Sequence, residues 1–135
     1  MGIPDVVLEF HIKTDKEAYN LEAFVKEIGK DLLVAIWGGD RHHIGAVAVA
    51  QPRPSLENHT VRSATASVFC YLGHKDDILA KEAAEKISSV LNTNVTVTAG
   101  VHWENLDEAG MRHVIENGRR LVEMIIEKIT TKKSK

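Results

Sequence analysis

Val61-Arg62-Ser63-Ala64-Thr65-Ala66-Ser67-Val68-Phe69-Cys70-Tyr71-Leu72 is the stretch whose reading decides the fold class. Its residues sort in twos: Ala64, Ala66, Val68 and Cys70 on one side, Ser63, Thr65, Ser67, Phe69 and Tyr71 on the other. That is the period of a β-strand, whose successive side chains point to opposite faces. The hydroxyl-rich side is either solvated or lines a pocket. Gly73-His74-Lys75-Asp76-Asp77 then opens a helix, with Asp76 as its N-cap and Leu79, Ala83, Ile87, Val90 and Leu91 as its apolar stripe. Val95–Ala99 reads as a short strand. A strand, a crossover helix and a second strand predict two parallel strands joined right-handedly.

Working outward, Asp5–Lys13 reads as a strand and Thr14-Asp15-Lys16 as a turn. Leu21–Ile28 is ambiguous: Leu21, Phe24, Val25 and Ile28 fit helical spacing. Gly29-Lys30-Asp31 nonetheless looks like a hairpin turn into Leu32–Trp37, which favours a strand. Ile44–Ala50 is small and apolar throughout, as expected of a strand covered on both faces. Gln51–Thr60, with Pro52 and Pro54, reads as a loop. The last helix opens on a capping box, Asn105 with Glu108, and carries a stripe from Met111 through Ile129 on which Gly118 falls. Glycine there costs about 1 kcal/mol relative to alanine, and close packing on the sheet is the expected compensation. The order predicts an α+β fold: a single mixed, mostly antiparallel sheet of about five to six strands, with two helices packed on one face. One domain spans 1–135, with a core of about 5–129 and a basic flexible tail at 130–135.

Composition excludes several classes. The formal net charge is −2, and Lys132, Lys133 and Lys135 form the only basic cluster, so a nucleic-acid partner is not expected. No apolar run reaches membrane-spanning length. Met1–Asp5 lack the charged and apolar regions of a signal peptide. A single cysteine, Cys70, allows no internal disulfide and reads as a buried, reduced thiol. A cytoplasmic protein is expected, in which the sequons at Asn58 and Asn94 are chance matches.

Parallel strands finish at the same sheet edge, so Gly73-His74 and Gly100-Val101-His102 should be neighbours. Ligands bind outside the carboxyl ends of such strands. Gly38-Gly39-Asp40-Arg41-His42-His43 supplies a third loop, in which paired glycines turn tightly and expose N–H groups to an anion. Arg41 and Lys75 make a phosphate-binding set with it, whereas Asp76 and Asp77 oppose one. His43, His74 and His102 could instead hold zinc with an open fourth position. Trp37 and Trp103 each adjoin these loops and invite a stacking platform for a planar ligand. No Ser/His/Asp or Cys/His order stands out, so no nucleophilic enzyme is announced.

Gly38–Ala48, Gln51-Pro52-Arg53-Pro54-Ser55, Gly73-His74-Lys75-Asp76-Asp77 and Ala99-Gly100-Val101-His102, taken in succession, resemble one family. It is the prenylated-flavin chaperone family, the small accessory D subunits of UbiD-type decarboxylases of gallate and other hydroxyarylic acids. The family is related to proteasome-assembly-chaperone-like folds. The resemblance covers about residues 5–129. It implies a non-catalytic carrier of prenylated FMN (or FMN) that serves a transiently bound UbiD-type decarboxylase. Carried over at matching positions, the cofactor-binding residues are Gly38, Gly39, His43, His74, Lys75 and His102, with Arg41 and Arg53 for phosphate. Trp103 joins them as the aromatic beside His102. The family usually has proline where His42 stands, so His42 inherits no role. It tends to place Asp-Asn shortly after the second Gly-x-His, where this chain has Trp103-Glu104-Asn105. The alternatives are a metal-binding hydrolase or lyase using His43, His74 and His102, and an assembly scaffold with no small ligand. A homo-oligomer is expected, because Ile44–Ala50 and the helix at 107–129 offer more apolar surface than one layer covers.

Overall fold

The computed structural model describes residues 7–71 and 76–134. Its elements are β1 (Glu9–Lys13), β2 (Leu21–Ile28), β3 (Asp31–Gly39), β4 (Ala46–Pro54), β5 (Arg62–Cys70), α1 (Asp77–Leu91), β6 (Val95–His102) and α2 (Glu108–Lys133). The strands form one sheet in the order β1-β2-β3-β6-β4-β5. β3 and β6 are parallel, and every other pairing is antiparallel. Both helices pack on one face, α1 over β4, β5 and β6, and α2 over β1 and β2. This is the expected α+β architecture.

Leu21–Ile28 is a strand. Burial alternates as Leu21, Ala23, Val25, while Phe24 is half-exposed and Ile28 is exposed. The helical spacing was a coincidence of apolar residues that face opposite sides of the sheet. β5 and β6 run in the same direction, as the crossover requires, but β4 lies between them and is antiparallel to both. The directly hydrogen-bonded parallel partner of β6 is β3, whose pairing continues to Gly39↔His102. That continuation carries β6 three residues beyond the expected end at Ala99.

β4 also outruns its expected end, through Pro52 and Pro54, which pair with Ala64 and Arg62. Ser55 N–H donates to the Val61 carbonyl beyond β5. By the two-residue alternation of a strand, the nitrogens of Pro52 and Pro54 therefore face away from β5. On that side β6 pairs only Ala46–Ala50, so neither proline breaks a ladder bond.

The core lies between sheet and helices. Alanines meet where α1 crosses β4, with Ala80, Ala83 and Ala84 facing Ala46, Ala48 and Ala50, all buried. Larger residues fill the other half, Leu21, Val25 and Ile36 with Leu121, Ile125 and Ile129. Gly118 is compensated by α1 rather than by the sheet, since a Cβ there would lie 2.6 Å from Leu79 Cδ1. α2 begins later than the capping box implies: Asp107 is the N-cap and accepts from Gly110 N–H at 2.7 Å. Asn105 has φ of +56° and stands outside the helix. The helix runs to Lys133, past the expected core end at residue 129, and Lys133 pairs with Glu27.

β4 is covered on one face only, contrary to expectation. Val47 is half-buried and Val49 is 53% exposed. The register sets both on the outer face with Phe69, Leu33, Ala35, Trp37, Thr96 and Thr98, opposite the helices. From Leu33 on β3, and over β6, β4 as far as Gln51 and β5, this face carries no Asp, Glu, Lys or Arg side chain, Asp31 at the start of β3 marking its charged border. Cys70 is half-buried on the helix side.

Candidate functional site

Four pieces of chain meet at one edge of the sheet. β3 ends at Gly39 opposite His102, β4 begins at Ala46 between Ala99 and Cys70, and Asp76 leads into α1. Gly38-Gly39 completes β3 and is not itself the turn, which bends at Asp40 and Arg41. Gly39 has φ of +93°, and a Cβ there would sit 1.9 Å from the His102 carbonyl oxygen. At Gly100 a Cβ would sit 1.8 Å from the His43 carbonyl oxygen, so the 43–44 segment crosses β6 at backbone distance. The room left by these two glycines is taken by the chain itself.

Asp76 fastens the edge. It is 3% exposed, and its Oδ1 accepts from Val101 N–H at 3.0 Å. Its Oδ2 lies 3.3 Å from His43 Nε2. His43 Nδ1 lies 3.2 Å from the Arg41 carbonyl. Both ring nitrogens of His43 thus face acceptors within the protein, and the imidazole ties the 41–43 segment to the start of α1. Asp76 occupies the N-cap position but makes no side-chain capping bond. The sequence showed its place without showing that it reaches sideways to β6.

Arg41 and His102 share one carboxylate. Glu104 Oε1 lies 3.2 Å from His102 Nε2 and 3.5 Å from an Arg41 guanidinium nitrogen. Arg41 is 74% exposed in its side chain, so this pairing is of the weak, solvent-screened kind. Asp40 Oδ2 accepts from Glu104 N–H, and Asp40 N–H donates to the His102 carbonyl. Glu104 belongs to the Trp103-Glu104-Asn105 departure from the family pattern, and no motif marks its carboxylate as the link between Arg41 and His102.

Other expected residues are placed elsewhere. Arg53 sits near the far end of β4, seven residues beyond Ala46 or about 23 Å along the strand, bonded to Thr65 Oγ1 and the Pro54 carbonyl. The two tryptophans form no common platform. Trp37 faces outward between His11 and His42, with ring centroids 5.7 and 6.3 Å away. Trp103 packs on the helix side, edge-on to Tyr19 at 5.4 Å and against Gly38. His74 and Lys75 lie outside the described residues. Among the described residues, no group of three His, Cys, Asp or Glu side chains is placed to hold a metal ion.

Beside this edge a groove of about 900 Å³ runs between α1 and α2. It is lined by Ile78, Leu79, Met111, Val114, Ile115 and Val122, and by Val101, His102 and Trp103 at the end of β6. Across it Arg119 makes two bonds to Glu82, at 3.1 and 3.2 Å. Those hydrogen bonds, then the carboxylate charge, raise the Arg119 pKa above its ordinary value. The groove arises where two apolar stripes face each other, which required knowing that both helices lie on one sheet face.

The geometry defines an α+β domain with a polar cluster at a sheet edge and an apolar groove beside it. Residues 15–130 match the family model of the prenylated flavin chaperone LpdD-like domain, and this chain belongs to that family. It is 29% identical over 96 residues to protein LpdD of Lactiplantibacillus plantarum, covering 71% of this chain and 67% of that protein. Its fold is shared with a chain in the crystal structure of a chaperone complex for yeast 20S proteasome assembly. There the TM-score is 0.57 and the identity 14%, covering 93% of this chain and 96% of the other. Among the described residues, no helix is long and apolar enough to cross a membrane.

Proposed function

We propose that this protein is a non-catalytic carrier of prenylated FMN that holds the cofactor for a UbiD-type decarboxylase in the cytoplasm. Family membership supports this ligand class. The observation that carries the reading is the cluster at the sheet edge, where Arg41 and His102 converge on Glu104 in solvent reach. The residues fit the cofactor in kind. Among the described residues the Arg41 guanidinium makes an exposed, single-contact ion pair, which leaves it able to take a phosphate in bidentate fashion. Trp103 and His102 offer flat surfaces beside it. His43, turned inward onto Asp76, positions the 41–43 segment instead of touching the ligand. His74 and Lys75 enter the site on the strength of the family pattern, and Arg53 is left out by its distance.

The test is retention of prenylated FMN after anaerobic desalting by Arg41→Ala and His102→Ala proteins. Each is expected to lose at least tenfold in affinity while unfolding at the wild-type temperature. Wild-type retention in both would sink the proposed site.

The outer face around Val47, Val49 and Phe69, free of Asp, Glu, Lys and Arg, supports a homo-oligomer. Val49 and Phe69 are 53% and 63% exposed, and a surface without charge needs no partner of opposite sign to meet its own copy.

A further inference from the structure

We infer that the α1–α2 groove receives the ring end of the flavin and reads its prenyl group, so that prenylated FMN is held in preference to plain FMN. This rests on the carrier reading above and adds where the ring system lies and which residues discriminate. The sheet-edge cluster offers cations and hydrogen bonds, which suit the ribityl phosphate that both flavins share. It offers nothing that distinguishes one from the other. Discrimination requires an apolar wall, because prenylation adds apolar carbons, whose transfer out of water favours binding in proportion to the area buried.

The groove is that wall. Leu79, Met111, Val114, Ile115 and Val122 line it, and its volume lies within the range of sites that enclose cofactor-sized ligands. Its orientation follows from charge. Asp76, Glu82, Glu85 and Glu123 line it against Lys86 and Arg119, and Arg119 is paired with Glu82, so the acidic excess disfavours a phosphate dianion inside. The part of the lining formed by His102 and Trp103 adjoins the edge where Arg41 lies, since His102 shares Glu104 with it. A ligand entering rings first leaves its phosphate at Arg41. Met111 is 37% exposed and Ile115 half-buried, so both tolerate substitution better than fully buried Val114.

The experiment measures the affinities of prenylated FMN and of plain FMN, anaerobically, for the wild type, Ile115→Glu and Met111→Glu. The wild type is expected to prefer the prenylated form. Both variants should weaken prenylated FMN at least tenfold and change plain FMN less than threefold, collapsing the preference. Should Ile115→Glu fail to fold, Met111→Glu alone decides. A preference unchanged in a folded Met111→Glu protein overturns the inference and leaves the carrier reading standing, as does a wild type that binds both flavins equally. A wild type that binds neither removes the carrier reading, and the inference with it.

Discussion

Replacing Asp76 by alanine should separate the groups that the sheet edge holds together. The carboxylate is 3% exposed and accepts from Val101 N–H at 3.0 Å, a charge-assisted bond worth roughly 2 kcal/mol. Alanine leaves that N–H without its acceptor and releases His43, whose 3.3 Å contact is long and adds about 1 kcal/mol at most. The sum is about 3 kcal/mol, or roughly 12 °C in Tm for a domain of this size. Asp76→Asn keeps an oxygen for Val101 and should lose only about 1 kcal/mol. Urea unfolding of the three proteins supplies the numbers. An alanine variant within about 0.5 kcal/mol of wild type, or an asparagine variant as damaged as alanine, would refute the role of the Val101 bond; the first is the size of an ordinary surface substitution.

Gly100→Ala should be among the most damaging single substitutions. The added Cβ would lie 1.8 Å from a backbone carbonyl oxygen, and relief by moving the backbone costs about 1–3 kcal/mol or more; denaturant unfolding checks it. Asp107→Ala should cost about 1 kcal/mol as loss of the true N-cap, whereas Asn105→Gly, at φ of +56°, should be neutral or stabilising in the same assay. Phe69→Glu should lower the mass measured by light scattering to that of one chain, with the folded spectrum kept; an unchanged mass would exclude the outer face as the interface.

The fold class was legible because its signals were local: alternation in Val61–Leu72, an apolar stripe on each helix and a turn after Ile28. What escaped depended on neighbours. Pro52 and Pro54 read as loop residues until β6 was seen to stop short of them, and the β4 coverage was misjudged because apolar composition does not say which faces are filled. Asn105 and Glu108 matched a capping box in spacing, yet Asp107, two residues on, won the cap. At the site, strand direction placed the start of α1 beside His102, whereas the closeness of Gly39 to His102 came from the β3–β6 pairing, which the sequence did not announce. Trp37 and Trp103 were paired by closeness to the loops, but Trp37 lies on the outer sheet face and Trp103 on the helix side. Glu104 and the groove became visible only in three dimensions.

The most direct test of the central claim is anaerobic mixing of the wild-type protein with prenylated FMN, desalting, and a visible spectrum with mass analysis of what remains. The carrier account predicts about one prenylated FMN kept per chain. Complete loss of the flavin on desalting would contradict it.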